Sequence, residues 1–215
     1  MISRRQPTDT TTPAPRLYLT AGPVVDATAL DAVLANADVA AVLLLLPQAD
    51  ERTLINHVKQ LAPGVQARGV ALVLDGCSEI VARAGADGAH LAGVDAVKSE
   101  IGRLKPDRIT GAGGLHLRDD AMLAAEAGAD YVMFGEPDGA DARPSFDAVI
   151  ERVSWWSELF EVPCVAYAGS REEIAPLVQA GADFIALGDF IWGDARGTVA
   201  AVTSAAEQLR LVEAA

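Results

Sequence analysis

The sequence predicts a single (β/α)8 TIM barrel, and three observations carry that prediction. A four-residue phrase recurs as Ala84-Gly85-Ala86-Asp87, Ala127-Gly128-Ala129-Asp130 and Ala180-Gly181-Ala182-Asp183. Each copy closes a helix-like segment and opens a short apolar run, which is the joint that successive βα units need. Eight such units fit in the 215 residues, the size of a minimal barrel. Apolar residues make up 51% of the chain, enough for one large core. An open doubly wound sheet is the competing arrangement, but eight units without extra helices favour closure.

Residues 1–15 are rich in Thr and Pro and lack an apolar stretch. They read as a flexible tail ahead of a barrel domain over 16–215. Apolar runs predict strands near Leu17–Thr20, Ala41–Leu46, Val70–Asp75, Gly88–Ala92, Arg108–Gly111, Tyr131–Gly135, Cys164–Ala168 and Phe184–Leu187. Helices are expected between them, near Ala27–Asn36, Glu51–Leu61, Ser78–Ala84, Asp95–Leu104, Arg118–Ala127, Phe146–Phe160, Arg171–Ala180 and Thr198–Val212. Asp50 precedes an amphipathic segment, and Ser170-Arg171-Glu172-Glu173 is a capping-box pattern. The glycine of each repeated phrase suits the left-handed position just past a helix end. Asp87, Asp130 and Asp183 then fall at strand starts, the face of a barrel that serves stability.

Composition excludes several function classes. A formal charge of −13 would repel phosphates, so a nucleic-acid partner is not expected. The longest apolar run, Val39 to Leu46, is far short of the ~20 residues that span a bilayer. Cys77 and Cys164 are the two cysteines, with no zinc-like spacing. The expectation is a soluble cytoplasmic protein that binds a small molecule, with neither nucleic acid nor membrane as partner.

In barrels the functional groups sit where the strands end, on the βα loops. Gly169, Ser170 and Gly188, after strands seven and eight, are candidates for holding a phosphate or other ligand. Asp189 follows Gly188 and opposes an anion, and a plain capped turn explains Ser170 equally well. Asp75 ends strand three and Asp95 follows strand four, a pair of carboxylates suited to Mg²⁺; helix capping is the alternative for Asp95. His116 closes loop five, as either a proton shuttle or a solvated side chain. His90, inside strand four, reads as an interior residue and His57 as surface. Trp155 and Trp156 adjoin on helix six, so one of them either marks a homodimer interface or lies flat on its own helix.

Leu17-Tyr18-Leu19-Thr20, Ala71 to Asp75 followed by Gly85 to Leu91, Gly128 to Val132 and Gly181-Ala182-Asp183 together resemble the thiamine phosphate synthase superfamily, including its TenI-like thiazole tautomerases. The resemblance runs over nearly the whole chain after the tail. It implies a reaction that joins a pyrimidine diphosphate to a thiazole phosphate with Mg²⁺ and loss of pyrophosphate. It associates His116 with proton transfer in the tautomerase branch, and of the family's Gly-Gln-Glu-Asp after strand four, here Ala92-Gly93-Val94-Asp95, it keeps the last carboxylate, Asp95, as the candidate metal ligand.

The sequence departs from the family where cationic groups would hold the diphosphate. A Gln-Leu-Arg-Glu-Lys segment is replaced by Leu44-Leu45-Leu46-Pro47-Gln48, and an Asn-Asp by Asp75-Gly76. The Thr-rich, Lys-bearing loop six reads Gly135-Glu136-Pro137-Asp138-Gly139-Ala140-Asp141-Ala142-Arg143. Asp75, Glu136, Asp138, Asp141 and Asp189 form an acidic rim better suited to a neutral or cationic ligand, or to a metal. Three functions follow as expectations. The first is a drifted thiamine-pathway enzyme with synthase turnover in doubt; the second is a non-catalytic relative binding a thiazole, a pyrimidine or a protein. The third is a different acid–base enzyme on the same barrel.

Overall fold

The computed structural model describes residues 14–137 and 143–213, so residues 1–13 of the tail and Asp138 and Asp141 of the acidic rim lie outside the described residues. The strands are β1 (Arg16–Ala21), β2 (Val39–Leu44), β3 (Ala71–Asp75), β4 (Gly88–Ala92), β5 (Ile109–Gly113), β6 (Tyr131–Phe134), β7 (Cys164–Ala168) and β8 (Phe184–Leu187). They pair in sequence order, all parallel, and β1 pairs with β8 to close the barrel. The open sheet is thereby excluded. The helices α1 (Ala27–Leu34), α2 (Glu51–Gln66), α3 (Val81–Ala84), α4 (Val94–Leu104), α5 (Arg118–Ala127), α6 (Phe146–Leu159), α7 (Ile174–Gln179) and α8 (Thr198–Glu213) alternate with them. Among the described residues no helix is long and apolar enough to cross a membrane.

Strand alternation divides the core in two. One set of residues, including Leu19, Leu72, Leu74, Val132 and Ile185, points outward to the helices. The other fills the barrel with Tyr18, Leu43, Val73, Tyr131, Met133, Val165 and Tyr167. The interior set determines what lies beneath the barrel mouth.

The repeated phrase performs one task three times. Gly85, Gly128 and Gly181 adopt φ of 78°, 105° and 92°, a left-handed turn open to glycine without strain. The following aspartates then reach back to the strand before. Asp87 accepts from the Leu72 N–H at 2.7 Å, Asp130 from Thr110 at 2.8 Å and Asp183 from Cys164 at 2.8 Å. Each carboxylate satisfies a backbone donor in the first two residues of β3, β5 or β7.

Several boundaries differ from the sequence expectation. β2 runs over Val39–Leu44 because its register with β1, from Leu17↔Val39 to Ala21↔Leu44, ends where β1 ends. α2 continues through Pro63 to Gln66; its buried stripe Val58, Leu61, Ala62 and Val65 carries on past the proline. β5 extends through two glycines to Gly113, since Ala92 on β4 offers a partner that far. α4 starts at Val94 with Gly93 as its N-cap, so Asp95 lies within the first turn instead of capping it. Trp156 is fully buried and its indole N–H donates to the Val162 carbonyl at 2.7 Å. Trp155 is half-buried beneath its own chain's Arg118, whose guanidinium sits 4.8 Å from the ring centroid.

Candidate ligand-binding site

A cavity of about 470 Å³ opens at the carboxyl ends of the strands. Its wall includes Asp75, His90, His116, Glu136, Arg152, Tyr167 and Asp189. Of the residues singled out from the sequence, Asp75 and His116 meet here, while Asp95, Gly169, Ser170 and Gly188 are not part of the wall.

The floor is a buried hydrogen-bonded chain. Tyr18 on β1 and Tyr131 on β6 point into the barrel, and their hydroxyls lie 2.7 Å apart. Tyr131 Oη is in turn 3.0 Å from His90 Nδ1 on β4. Burial pushes both phenols above their ordinary range and pulls His90 down to about 4, so the imidazole is neutral at pH 7. Within these three residues, one direction gives every hydroxyl proton an acceptor. Tyr18 donates to Tyr131, Tyr131 donates to His90 Nδ1, and His90 keeps its proton on Nε2.

Room for this arrangement comes from β5. His90 pairs with Gly111 in register, and Gly111 with Tyr131. A Cβ at Gly111 would overlap the Tyr131 ring. A Cβ at Gly113 would overlap His90 Nε2 and come within 2.6 Å of Glu136 Oε1. The imidazole and the Glu136 carboxylate thus converge in the space a side chain at 113 would fill.

Glu136 follows β6 and joins the wall. Its Oε1 accepts from the Gly114 N–H at 2.6 Å, whereas Oε2 is shielded from solvent with no hydrogen-bond partner among the described residues. Burial raises this carboxyl; the Gly114 hydrogen bond and the charges of His116 and Arg152 act the other way. Asp75, open to the cavity on one side and hemmed in by protein on the others, is also raised by burial.

Arg152, on α6, is the one arginine or lysine in the wall among the described residues. Its guanidinium donates to the Leu115 carbonyl at 2.9 Å and to the His116 carbonyl, fixing loop five from below. Beside the mouth, Arg143 donates to the carbonyls of Gly135 and Tyr167, both at 2.7 Å, and pairs with Glu173 at 2.7 Å. Glu173 also accepts the Gly169 N–H at 2.7 Å, the donor that the sequence suggested for a phosphate. Ser170 stands in extended backbone without a side-chain cap bond to the helix that follows, so the expected capping box is displaced by one residue toward Gly169. Gly188 is buried against the Tyr167 hydroxyl.

The carboxylate pair expected for Mg²⁺ is not brought together at the mouth, because Asp75 joins the wall and Asp95 does not. No group of three or more His, Cys, Asp or Glu among the described residues is placed to hold a metal ion. A Mg²⁺ held by one carboxylate relies on substrate phosphates for its remaining shell, and Glu136 and Asp189 oppose phosphates here. Of the two carboxylates expected for that ion, the wall holds Asp75.

Sequence reading missed Arg152, which looks like any other polar residue of an amphipathic helix. It also missed the Tyr18–Tyr131–His90 chain. The available signal was Gly111 and Gly113, two alternate glycines on the strand beside His90.

Comparison with known proteins agrees with the barrel and its joints. The family model for thiamine monophosphate synthase matches residues 17–191. The chain is 43% identical over 195 residues to a thiamine-phosphate synthase of Rhodospirillum centenum, covering 87% of this chain and 94% of that protein. It is 36% identical over 209 residues to the thiamine-phosphate synthase of Hyphomonas neptunium, covering 91% and 95%. Among solved structures, a thiamine phosphate pyrophosphorylase from Pyrococcus furiosus superposes with a TM-score of 0.78 at 21% identity, over 92% of this chain and 96% of that one; at that identity the likeness is one of fold. The chain belongs to the thiamine monophosphate synthase family.

Proposed function

We propose that this barrel serves thiamine metabolism by binding an unphosphorylated thiazole- or pyrimidine-type ring at its mouth, without the family's coupling reaction. The observation that carries this reading is the charge of the wall. Asp75, Glu136 and Asp189 share the wall with Arg152, whose guanidinium donates to the loop-five carbonyls of Leu115 and His116. Release of pyrophosphate needs cations that follow the developing charge. A diphosphate here would meet carboxylates instead, at an energy penalty that grows as water is excluded.

In this reading Asp75 and Glu136 are the polar contacts of the ring. His116, at the mouth and within the electrostatic reach of Glu136, is the group for moving a proton to or from it. Gly169, Ser170 and Gly188 shape loops seven and eight around the Arg143–Glu173 pair.

A second reading, synthase turnover, is favoured by near-full-length identity of 43% to a protein named for that activity. Mixing the pyrimidine diphosphate, the thiazole phosphate and Mg²⁺ with the protein, and following thiamine phosphate as its fluorescent oxidation product, separates the two. Our reading expects no product above the protein-free control. Sustained multiple turnover establishes the second reading in its place.

A further inference from the structure

We propose that Arg152 is a positioning residue: by holding the backbone carbonyls of Leu115 and His116 it fixes where the His116 imidazole stands at the mouth, within electrostatic reach of Glu136. This rests on the reading that His116 moves a proton there.

Loop five needs an external hold. Gly113 and Gly114 lead into it, and Gly114 adopts φ of 60°, so the backbone approaching His116 has a freedom that side chains would restrict. His116 itself is exposed. Three consecutive residues are then tied to side chains of the sixth βα unit. The Gly114 N–H donates to Glu136 Oε1 at 2.6 Å. Arg152, on α6, donates from Nη1 to the Leu115 carbonyl at 2.9 Å and from Nη2 to the His116 carbonyl.

Two successive carbonyls thus converge on one guanidinium. Arginine is suited to this because its donors form a rigid planar fork, whereas lysine is a point charge on a flexible stem. A lysine at 152 could serve one carbonyl or the other without setting the angle between them. Leu115, buried beside His116, anchors the loop by packing, and the fork adds the orientation that packing leaves open.

The same hold has an electrostatic signature. Burial raises the Glu136 carboxyl, and the charges of His116 and Arg152 draw it back down. The pull of His116 falls with distance, so Glu136 registers where that imidazole is. Arg152 therefore acts on Glu136 in two separable ways, by its own charge and by keeping His116 near.

The test titrates the Glu136 carboxyl by carbon-13 NMR in the full-length protein without ligand, across a double-mutant cycle of Arg152→Met and His116→Gln. In the wild-type background, His116→Gln should raise the Glu136 midpoint by about half a pH unit, as removal of a nearby cation does. In the Arg152→Met background the same substitution should leave the midpoint unmoved, because the imidazole no longer stands beside Glu136. Arg152→Lys keeps the charge and loses the fork. Its own midpoint should stay near wild type, while most of the His116→Gln effect disappears. Circular dichroism and urea unfolding check that each variant is folded; should Arg152→Met fold poorly, Arg152→Lys carries the cycle.

An equal effect of His116→Gln with and without Arg152 overturns the inference, since Arg152 then acts on Glu136 by charge alone. So does a wild-type background in which His116→Gln moves nothing. Because no ring compound takes part, the result is separate from the proposed function. Failure of the thiazole and pyrimidine alcohols to bind would sink that reading and leave the hold of Arg152 on His116 as measured.

Discussion

His90 Nδ1 and Tyr131 Oη lie 3.0 Å apart at the floor of the mouth, with the two rings stacked at 15° and their centroids 5.7 Å apart. Tyr131 binds Tyr18 at the same time, so a single hydroxyl ties β1, β4 and β6 together inside the barrel. Tyr131→Phe would strip partners from the Tyr18 hydroxyl and from His90 Nδ1. We expect a loss of about 1–3 kcal/mol in urea unfolding, the range for orphaning buried polar groups. Tyr18→Phe removes its own donor as well as the bond, and should cost less.

The buried imidazole makes stability depend on pH. Burial lowers His90 from 6.5 in the unfolded chain to about 4 in the fold. A depressed base contributes stability that is complete above pH 6.5 and is lost as pH falls toward 4, amounting to about 3 kcal/mol. Glu136 and Asp75 are raised by burial, and their contributions run the other way, weakening as pH rises. The comparison must therefore be between wild type and His90→Gln. The variant's unfolding free energy should change less than wild type's across that window.

Glycine at 113 is required by what faces it. Gly113→Ala places a methyl 2.3 Å from His90 Nε2 and 2.6 Å from Glu136 Oε1, so both side chains must shift. A destabilisation of about 1–3 kcal/mol, typical of overpacking, is expected with loss of ring binding. Gly64→Ala, inside α2 where a Cβ meets nothing within 4 Å, is the control: it should leave ring binding unchanged and raise stability by about 0.5–1 kcal/mol.

The floor of the barrel should separate from its mouth. Asp183→Ala leaves the Cys164 N–H at the start of β7 without its side-chain acceptor. We predict a stability loss of about 1–3 kcal/mol in urea unfolding. Ligand affinity, measured well below the midpoint, should stay within a factor of about two, since independent sites more than 7–10 Å apart behave additively.

The sequence made the scaffold legible because its signals are local. Three repeats of one phrase expose the joints, and the apolar runs between them leave little choice of topology. The two Gly-Ala-Asp aspartates and their third copy could be placed on the stability face from position alone, and their carboxylates do close the strand starts. The mouth was less legible because its contacts join distant segments. Tyr18 meets Tyr131 across 113 residues and Arg152 meets Leu115 across 37, neither of which leaves a periodic trace. His116 and Asp75 could be placed at the mouth because one closes a loop and the other ends a strand. His90 reads as an interior residue from its place in a strand, and it is buried; its bond to Tyr131 joins segments 41 residues apart and leaves no such trace. Gly169 and Ser170 looked like an anion site because the sequence does not reveal that Glu173, held by Arg143, takes the Gly169 N–H.

The central claim is that this mouth takes an unphosphorylated ring and turns away its diphosphate. Calorimetric titration of the pyrimidine alcohol, set against the pyrimidine diphosphate with Mg²⁺ at the same pH and ionic strength, tests it most directly. With carboxylates Asp75, Glu136 and Asp189 in the wall, the alcohol should bind measurably and the diphosphate at least about tenfold more weakly. Tighter binding of the diphosphate would contradict it.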